Sequence, residues 1–239
     1  MIAGRPGSGK SLVALDYAIH ADVSCLYFSA DTDDTTVWER TVAMRLNEKQ
    51  SVVESWAESG DEERLVAALQ GLDNIRFVYD PNPTLDAIDG EIKAWVELYG
   101  KSPDLIVIDN LLNVVCETSE NEWTGLRHLM AEMHAVARQS GSALFVLHHT
   151  SEGEGKATEP PTQRSVMGKV SHAPELVLTV AIEPDEQEMR LCAVKNRAGK
   201  SNASARESSW VRLDADLSRM TLREKSHGHA VADWWDGVN

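Results

Sequence analysis

The segment GRPGSGKS at residues 4–11 constrains the chain most, because it fits the pattern G-x-x-x-x-G-K-S between a very short apolar start and a stretch of helical pattern. Glycines let backbone N–H groups wrap closely around a phosphate, and the N-terminus of the following helix adds positive potential. Lys10 would reach the outer phosphates, its head facing solvent until they bind, and Ser11 can ligate Mg²⁺. The predicted phosphate-binding residues are Gly4, Arg5, Pro6, Gly7, Ser8, Gly9, Lys10 and Ser11.

A second part of such a site is an acid at the end of a buried strand. The apolar run Leu105–Ile108 ends in Asp109. Taken alone, this arrangement is common and often serves only a turn. Together with a phosphate-binding turn it is typical of a nucleoside triphosphatase, in which the acid holds Mg²⁺ through water. We therefore predict that Ser11 and Asp109 hold Mg²⁺.

Apolar runs rich in β-branched or aromatic residues alternate with stretches of helical period, such as Thr84–Tyr99 and the Trp123, Leu126, Leu129, Met133 and Val136 stripe. This alternation predicts an α/β fold, with a mostly parallel twisted sheet flanked by helices. The predicted strands are Val23–Ser29, Ile75–Tyr79, Leu105–Ile108, Ala143–Leu147, Leu176–Ile182 and Leu191–Val194.

After residue 182 the strands become short and alternate with turn residues, which predicts an antiparallel C-terminal extension of the sheet. We expect one domain over residues 1–239, made of a nucleotide-binding core at 1–182, a β extension at 183–225 and a tail at 226–239. Two adjacent tryptophans in the tail, Trp234 and Trp235, would anchor the terminus on the body. The predicted turns are 183–188, 197–202 and 214–218.

The charge balance limits how the chain can meet nucleic acid. With 23 Lys+Arg against 38 Asp+Glu, the net charge is −15, which excludes a protein that coats nucleic acid with its whole surface. Residues 190–225 nevertheless hold nine basic and four acidic residues, a local balance of +5, so this region faces either phosphates or an acidic neighbouring subunit.

Other features of composition predict a protein that stays in the cytoplasm. The apolar runs are far shorter than the roughly 20 residues of a membrane span, and no leader pattern opens the sequence. The three cysteines have no metal-ligand spacing and are expected to be reduced core residues. They are Cys25, Cys116 and Cys192.

Five motifs in order resemble the ATPase domain of the RecA/DnaB family, closest to phage and plasmid replicative-helicase-like proteins, over nearly the whole sequence. Their order and spacing make the resemblance specific, because the first and third occur in many nucleoside triphosphatases. The motifs are GRPGSGKS at Gly4–Ser11, YFSAD at Tyr27–Asp31, LIVIDN at Leu105–Asn110, LFVLHHT at Leu144–Thr150 and VKNRAGK at Val194–Lys200.

The resemblance implies roles for residues beyond the phosphate turn. Asp31 matches the base that orients the attacking water; the family usually has Glu there, so the shorter side chain implies slow hydrolysis. Asp33 and Asp34 follow closely and leave the choice of acid open. His148 matches the sensor that touches the γ-phosphate, with His149 the weaker candidate.

The resemblance also implies contacts between subunits and with nucleic acid. Lys195 and Arg197 match a KxR element that reaches a neighbouring subunit's ATP, the alternative being a solvated basic turn. In the family, loops after the two central strands hold single-stranded nucleic acid. Here these are residues 111–122 and 150–173, and the candidate phosphate contacts are Lys156, Arg164 and Lys169.

Together with the phosphate turn, the resemblance implies an ATP- and Mg²⁺-dependent motor or remodelling ATPase, helicase-like, acting in DNA replication or recombination in a bacterial cell or a phage-infected bacterial host. Single-stranded or branched DNA and further copies of the chain, as a hexamer or filament, are the expected partners. Two alternatives stay open: an ATP-binding regulatory or assembly subunit, favoured by Asp instead of Glu at residue 31, and a metal-dependent DNA nuclease or branched-DNA-processing enzyme. The nuclease would use Asp31, Asp33, Asp109, His148 and His149.

Overall fold

The computed structural model describes residues 1–116, 121–151 and 155–225, and these form six α-helices and nine strands. In chain order they are β1 (Ile2–Gly4), α1 (Lys10–His20), β2 (Cys25–Ser29), α2 (Asp34–Leu46), α3 (Gln50–Ser59), α4 (Glu62–Leu69), β3 (Ile75–Val78), α5 (Leu85–Tyr99), β4 (Leu105–Asp109), α6 (Glu122–Ser140), β5 (Ala143–His149), β6 (Leu176–Glu183), β7 (Glu188–Asn196), β8 (Trp210–Asp216) and β9 (Thr221–Glu224).

All nine strands join one sheet in the order β3-β2-β4-β5-β1-β6-β7-β8-β9. The strands from β3 to β6 in this order are parallel, and β7, β8 and β9 continue the sheet antiparallel. The predicted α/β fold with an antiparallel C-terminal extension is confirmed. We call the edge where β1, β2, β4 and β5 end the carboxyl edge, and the edge where β6 begins the amino edge.

Side chains alternate between two cores on the two faces of the sheet, as the pleat of a strand requires. On β4, Leu105 and Val107 pack with α1, whereas Ile106 and Ile108 pack with α5 and α6. Asp109 follows Val107 by two residues, so the alternation directs it to the α1 face.

Local capping explains where the principal helices begin and end. The Thr84 hydroxyl accepts a hydrogen bond from the Ala87 N–H at the start of α5, and Asn121 caps α6 in the same way through the Thr124 N–H. Gly100 and Gly141 end these helices in the left-handed conformation that glycine adopts without strain.

Some local expectations were wrong. The turn expected at 214–218 lies at 217–220, because β8 continues through Asp216. Trp123, expected on the buried stripe of its helix, is 44% exposed because it lies in the first turn of α6. Cys25 and Cys192 are buried free thiols as predicted, and Cys116 is only partly buried.

Other expectations concern residues outside the described part of the chain. Trp234 and Trp235 lie there, as do four residues of the 111–122 loop and three of the 150–173 loop. Among the helices that the structure describes, none has the length and apolar character needed to cross a membrane.

Candidate functional site

The phosphate turn joins β1 to α1 at the carboxyl edge, and its glycines are required by space as well as by conformation. Gly9 has a φ of 84°, in the left-handed region. A Cβ on Gly9 would lie 2.5 Å from the Met189 methyl carbon and 2.8 Å from Ile182 Cδ1. The turn is therefore packed against the end of the β6–β7 hairpin, which fixes its position relative to the C-terminal extension.

The turn forms one wall of a cavity of about 400 Å³. Among the lining side chains, Ser8 Oγ is buried and makes no hydrogen bond. An unpartnered buried hydroxyl on a phosphate-binding turn fits a ligand that carries acceptor oxygens, as a nucleotide phosphate does. The lining residues are Pro6, Gly7, Ser8, Gly9, Lys10, Ser11, Leu12, Asp31, Thr32, Arg40, His149, Ile182, Leu217 and Met220.

Lys10 is buried in the cavity wall, so the expectation that its head faces solvent was wrong. Its Nζ donates to the carbonyl oxygens of Gly4, at 3.3 Å, and Arg5, at 3.0 Å. A buried ammonium must be hydrogen bonded, and these carbonyls are within reach. Burial lowers the pKa of Lys10, and the charges of Asp109 and Asp31 oppose this change.

Asp109 lies beside Ser11, as the magnesium prediction requires. The Tyr27 hydroxyl donates to Asp109 Oδ2 at 3.0 Å, and Ser11 forms a further side-chain hydrogen bond with this carboxylate. Burial raises the pKa of Asp109, and the hydrogen bonds from Ser11 and Tyr27 partly offset the effect. A hydroxyl and a carboxylate in contact are oxygen donors of the kind that Mg²⁺ takes. Ser11 and Asp109 therefore fit the predicted Mg²⁺ site.

The three acids after β2 differ in their surroundings. Asp31 is exposed, lines the cavity, and its backbone N–H donates to the Asp109 carbonyl at 3.2 Å. Asp33 instead caps α2: its carboxylate accepts from the Thr36 N–H at 2.9 Å and from the Thr36 hydroxyl at 2.8 Å, which lowers the pKa of Asp33. Asp34 accepts from the Thr35 N–H. Of the three, Asp31 is the acid that lines the cavity.

The two histidines at the end of β5 point to opposite faces of the sheet. His148 is fully buried on the α6 face, and its Nε2 donates to the Met167 carbonyl at 3.1 Å. His149 lines the cavity, and its Nε2 lies within hydrogen-bond distance of Asn110 Nδ2, at 3.3 Å. Burial lowers the pKa of both, that of His148 to about 4. The structure therefore brings His149 to the phosphate turn and does not bring the predicted His148 there.

Lys195 and Arg197 lie at the amino edge, away from the phosphate turn. Because β7 is antiparallel, its last residue pairs with Leu176, the first residue of β6. Lys195 Nζ donates to the carbonyls of residues 171, 172 and 174, and Arg197 pairs with Glu175 at 2.5 Å. The structure does not bring these two residues to the cavity of their own chain.

The three candidate nucleic-acid contacts divide into two places. Arg164 and Lys169 line two adjoining cavities of about 720 and 620 Å³, and Trp123 and Arg127 of α6 line the second of these. None of the described residues that line them is acidic. We call these four side chains the basic groove. Lys156 lies elsewhere: it pairs with Glu159, and its carbonyl accepts from Arg5 of the phosphate turn.

Sequence reasoning gave no site role to three residues of these sites and ranked a fourth, His149, too low. Arg40 lies outside the five motifs, and Tyr27 opens the YFSAD motif but was given no role of its own. The choice between His148 and His149 requires knowing which face of β5 meets the phosphate turn, which the sequence does not give. Trp123 had a weak signal, since an aromatic residue in the first turn of a helix often stays partly exposed. They are Tyr27, Arg40, Trp123 and His149.

A known domain family and two phage proteins match the sequence. A family model described as an AAA domain matches residues 1–155. The gene 65 protein of Mycobacterium phage L5 is 32% identical over 246 residues, covering 96% of this chain and 86% of that protein. The gene 65 protein of Mycobacterium phage D29 is 34% identical over 235 residues, covering 92% and 97%.

Solved structures resemble the chain in fold at low identity. A DnaB-like replicative helicase, described with its interactions with primase, has a TM-score of 0.80 at 13% identity; the match covers 94% of this chain but only 56% of the helicase. A separately solved ATPase domain has a TM-score of 0.80 at 14% identity, with 94% and 83% covered. A KaiC-like protein from Pyrococcus horikoshii has a TM-score of 0.56 at 11% identity, with 93% and 86% covered.

Proposed function

The chain belongs to the AAA domain family as a P-loop ATPase of the RecA/DnaB type, and from this premise we propose that it hydrolyses ATP as an oligomer on nucleic acid. It is a helicase-like motor or remodelling enzyme of DNA replication or recombination. Its partners are single-stranded or branched DNA and further copies of the chain, as a hexamer or filament. One sheet runs from residue 2 to residue 224, which supports a single domain.

The observation that carries this proposal is the division of charged groups between the two edges of the sheet. Lys10, Asp31 and Asp109 lie around the cavity at the carboxyl edge. Arg197 lies at the amino edge, where it cannot reach that cavity. A site that uses both sets of groups needs two copies of the chain, with the amino edge of one against the carboxyl edge of the next.

Each group at the carboxyl edge has a distinct task. The turn's N–H groups, Ser8 and Lys10 hold the phosphates, while Ser11 and Asp109 hold the metal. Mg²⁺ bound with ATP would be held by Ser11 and Asp109 and would supply positive charge beside the outer phosphates. Asp31 accepts a hydrogen bond from the attacking water and orients it. Because Asp is shorter than the usual Glu, we expect slow turnover.

Arg197 of a neighbouring copy stabilises the charge that develops on the transferred phosphoryl group. Its pairing with Glu175 does not prevent this role. Both side chains are more than half exposed, and an exposed ion pair contributes little free energy, so Arg197 can exchange partners at small cost.

The nucleic-acid side of the proposal rests on the basic groove. His149 is hydrogen bonded to Asn110, whose side chain caps the 3-10 turn Leu111–Asn113, and His148 is hydrogen bonded to Met167 beside the groove. The end of β5 thus contacts both segments that follow the central strands. A change at the phosphate turn reaches the groove through this strand end, with His149 as the sensor.

Two of the five residues named for the nuclease alternative are engaged elsewhere. Asp33 is engaged in a helix cap and His148 faces the other side of the sheet. Within the described residues, no three His, Cys, Asp or Glu side chains are arranged to hold a metal ion.

The proposal is tested by ATP turnover measured over a range of protein concentrations, with and without single-stranded DNA. We expect turnover per subunit to rise with protein concentration and to rise further with DNA, and Lys10→Ala to remove both effects. Turnover that is independent of concentration and of DNA would contradict the oligomeric, nucleic-acid-dependent part. ATP binding with no turnover and no strand displacement would favour the regulatory alternative, and Mg²⁺-dependent cleavage of DNA by Lys10→Ala without ATP would favour the nuclease.

A further inference from the structure

The two basic residues of the KNR segment are held in different ways. Lys195 is partly buried, and its Nζ donates to the carbonyl oxygens of Ser171 at 3.1 Å, His172 at 2.5 Å and Pro174 at 2.6 Å. An ammonium group has three N–H donors, so these three acceptors use all of them. Lys195 in this position therefore has no donor left for a phosphate in a neighbouring subunit.

The three acceptors lie at the end of the short helical segment Met167–His172, where backbone carbonyls lack partners within the helix. A lysine close to such an end stabilises it by donating to the last carbonyls. If Lys195 moved to a neighbour's ATP, these carbonyls would lose their donor. Arg197 can move at smaller cost, because its pair with Glu175 is exposed.

The same segment carries part of the basic groove. Gly168 and Lys169 interrupt it with φ angles of 68° and 57°, in the left-handed region. A residue other than glycine keeps this conformation only where its surroundings hold it. His148 Nε2 donates to the Met167 carbonyl before the interruption, and Lys195 holds the carbonyls after it. Lys169, which lines the groove, thus lies between two fixed points of the backbone.

Arg197 is attached to the same end of this segment. Its backbone N–H donates to the Glu175 carbonyl at 3.0 Å, and its guanidinium donates to the His172 carbonyl at 3.3 Å. His172 follows Lys169 by only three residues along the chain. A displacement of the backbone at the groove therefore reaches Arg197 through a short stretch that Lys195 fixes to β7.

We propose that Lys195 is a positioning residue rather than a second group acting on a neighbour's ATP. It fixes residues 171–174 to β7, so that single-stranded nucleic acid in the basic groove determines the position of Arg197. This inference rests on the proposed function, in which Arg197 completes a neighbouring site. Without Lys195, the groove and Arg197 move independently, and nucleic acid no longer influences turnover in the next subunit.

The positioning role is tested first without nucleotide or DNA, by amide hydrogen exchange of residues 167–175. Lys195→Met keeps the length of the side chain and removes its donors, so exchange in this segment should become about 10-fold faster. Lys200→Met is the matched control, because Lys200 is an exposed lysine of the same turn. Unchanged exchange in Lys195→Met would overturn the proposal.

The second measurement is binding of a labelled oligothymidine without nucleotide. We expect Lys195→Met to bind about 10-fold more weakly, because residues 167–175 must then be ordered on binding. The slope of log affinity against log salt should stay at the wild-type value, since Lys195 contacts no phosphate. A group that acts only on a neighbour's ATP would not change this affinity. An unchanged affinity, or a slope shallower by about one, would contradict the proposal.

The third measurement is ATP turnover with and without the same oligothymidine. Lys195→Met should keep a rate close to wild type without DNA, and the ratio of the two rates should fall to about one. Lys195→Arg, which can donate to the same carbonyls, should recover part of that ratio. If Lys195→Met instead lowers both rates equally, as Arg197→Ala should, Lys195 acts on ATP directly and the proposal is overturned.

Two controls keep these outcomes decisive. If Lys195→Met does not fold, Lys195→Arg decides: a ratio between one and the wild-type value supports the proposal, and an unchanged ratio overturns it. If wild-type protein neither binds the oligothymidine nor responds to it, the proposed function fails. The exchange experiment still decides in that case whether Lys195 positions residues 171–174, so the two failures are distinct.

Discussion

The carboxyl and amino edges of the sheet differ in whether their polar groups have hydrogen-bond partners. At the carboxyl edge, Ser8 Oγ and Arg40 Nε are buried without partners, beside Lys10 and Asp31. At the amino edge, Lys195 has three carbonyl acceptors and Arg197 has a carboxylate. The carboxyl edge therefore keeps two buried polar atoms without partners, whereas Lys195 and Arg197 at the amino edge have acceptors within their own chain.

Strand direction is the physical cause of this division. The parallel strands deliver the phosphate turn, Asp31, Asp109 and His149 to one edge. The hairpin between β6 and β7 reverses the chain and returns the KNR segment to the other edge. Under the proposed function, each copy supplies two halves of different sites, and each half can be tested by itself.

The largest expected effect comes from Arg197. If it completes a neighbour's site, Arg197→Ala should lower turnover at high protein concentration by about 10⁴-fold, as removal of such an arginine does in other phosphoryl-transfer enzymes. ATP affinity of the single subunit should not change, since that subunit's own cavity is intact. Steady-state turnover and calorimetric ATP binding provide the two measurements.

Mixing sharpens this test, because the two edges can be supplied by different molecules. Arg197→Ala subunits keep an intact phosphate turn, and Lys10→Ala subunits keep an intact amino edge. A mixture should recover part of the wild-type turnover. If mixed oligomers form and no ratio restores activity, Arg197 is a solvated basic residue and the division between the edges has no catalytic meaning.

The next effect concerns the acids at the carboxyl edge. Asp31→Asn should lower turnover about 10³-fold with little change in ATP affinity, because orientation of the attacking water matters in the transition state. Asp33→Asn serves as the control, since Asp33 caps α2 and should affect thermal unfolding more than turnover. A normal rate for Asp31→Asn with a lost rate for Asp33→Asn would assign the base to Asp33 instead.

The sequence was sufficient for those parts of the site that are fixed by contiguous residues. The phosphate turn and the Asp109 strand were predicted because spacing along the chain determines their geometry. The parallel core and the antiparallel extension followed from the alternation of apolar runs. The last of the three predicted turns begins three residues later in the structure than predicted.

The sequence was insufficient where the outcome depends on register or on the orientation of a side chain. Choosing between His148 and His149 requires knowing which face of β5 meets α1, and adjacent residues of a strand face opposite sides. Arg40 reaches the cavity only because α2 packs beside α1, which no local pattern reveals. The Lys10 ammonium group is buried because the carbonyls that accept its hydrogen bonds belong to the phosphate turn itself.

The two histidines provide a test through pH. The pKa of folded His148 is lowered from 6.5 to about 4 by burial, so between these values the unfolded chain binds a proton that the folded chain does not. The contribution of His148 to the free energy of unfolding is therefore fully present above about pH 6.5. It decreases by up to about 3 kcal/mol as the pH falls toward 4. The free energy of unfolding, measured with urea, should fall less between pH 7 and pH 4.5 for His148→Gln than for wild type. An equal decrease in the two proteins would mean that burial in the α6 core does not lower the pKa of His148.

The smallest expected effect concerns the basic groove, which lies at the carboxyl edge but on the other face of the sheet from the phosphate turn. The Trp123 ring is 44% exposed and packs near Gly168, where a Cβ would lie 3.4 Å from it. If a base of single-stranded DNA stacks on this ring, Trp123→Ala should weaken binding about 10-fold and Trp123→Phe much less. Fluorescence anisotropy of a labelled oligothymidine measures both.

The salt dependence of that binding separates stacking from phosphate contact within the groove. Arg164→Ala and Lys169→Ala remove charges that face phosphates, so the slope of log affinity against log salt should become shallower by about one for each. Trp123→Ala removes no charge and should lower affinity at every salt concentration with an unchanged slope. Lys156→Ala is the matched control, because Lys156 pairs with Glu159 outside the groove and its loss should leave the slope near the wild-type value. If Lys156→Ala changes the slope as much as Arg164→Ala does, the DNA runs along the phosphate turn, where Arg5 holds the Lys156 segment, and the groove is not its path.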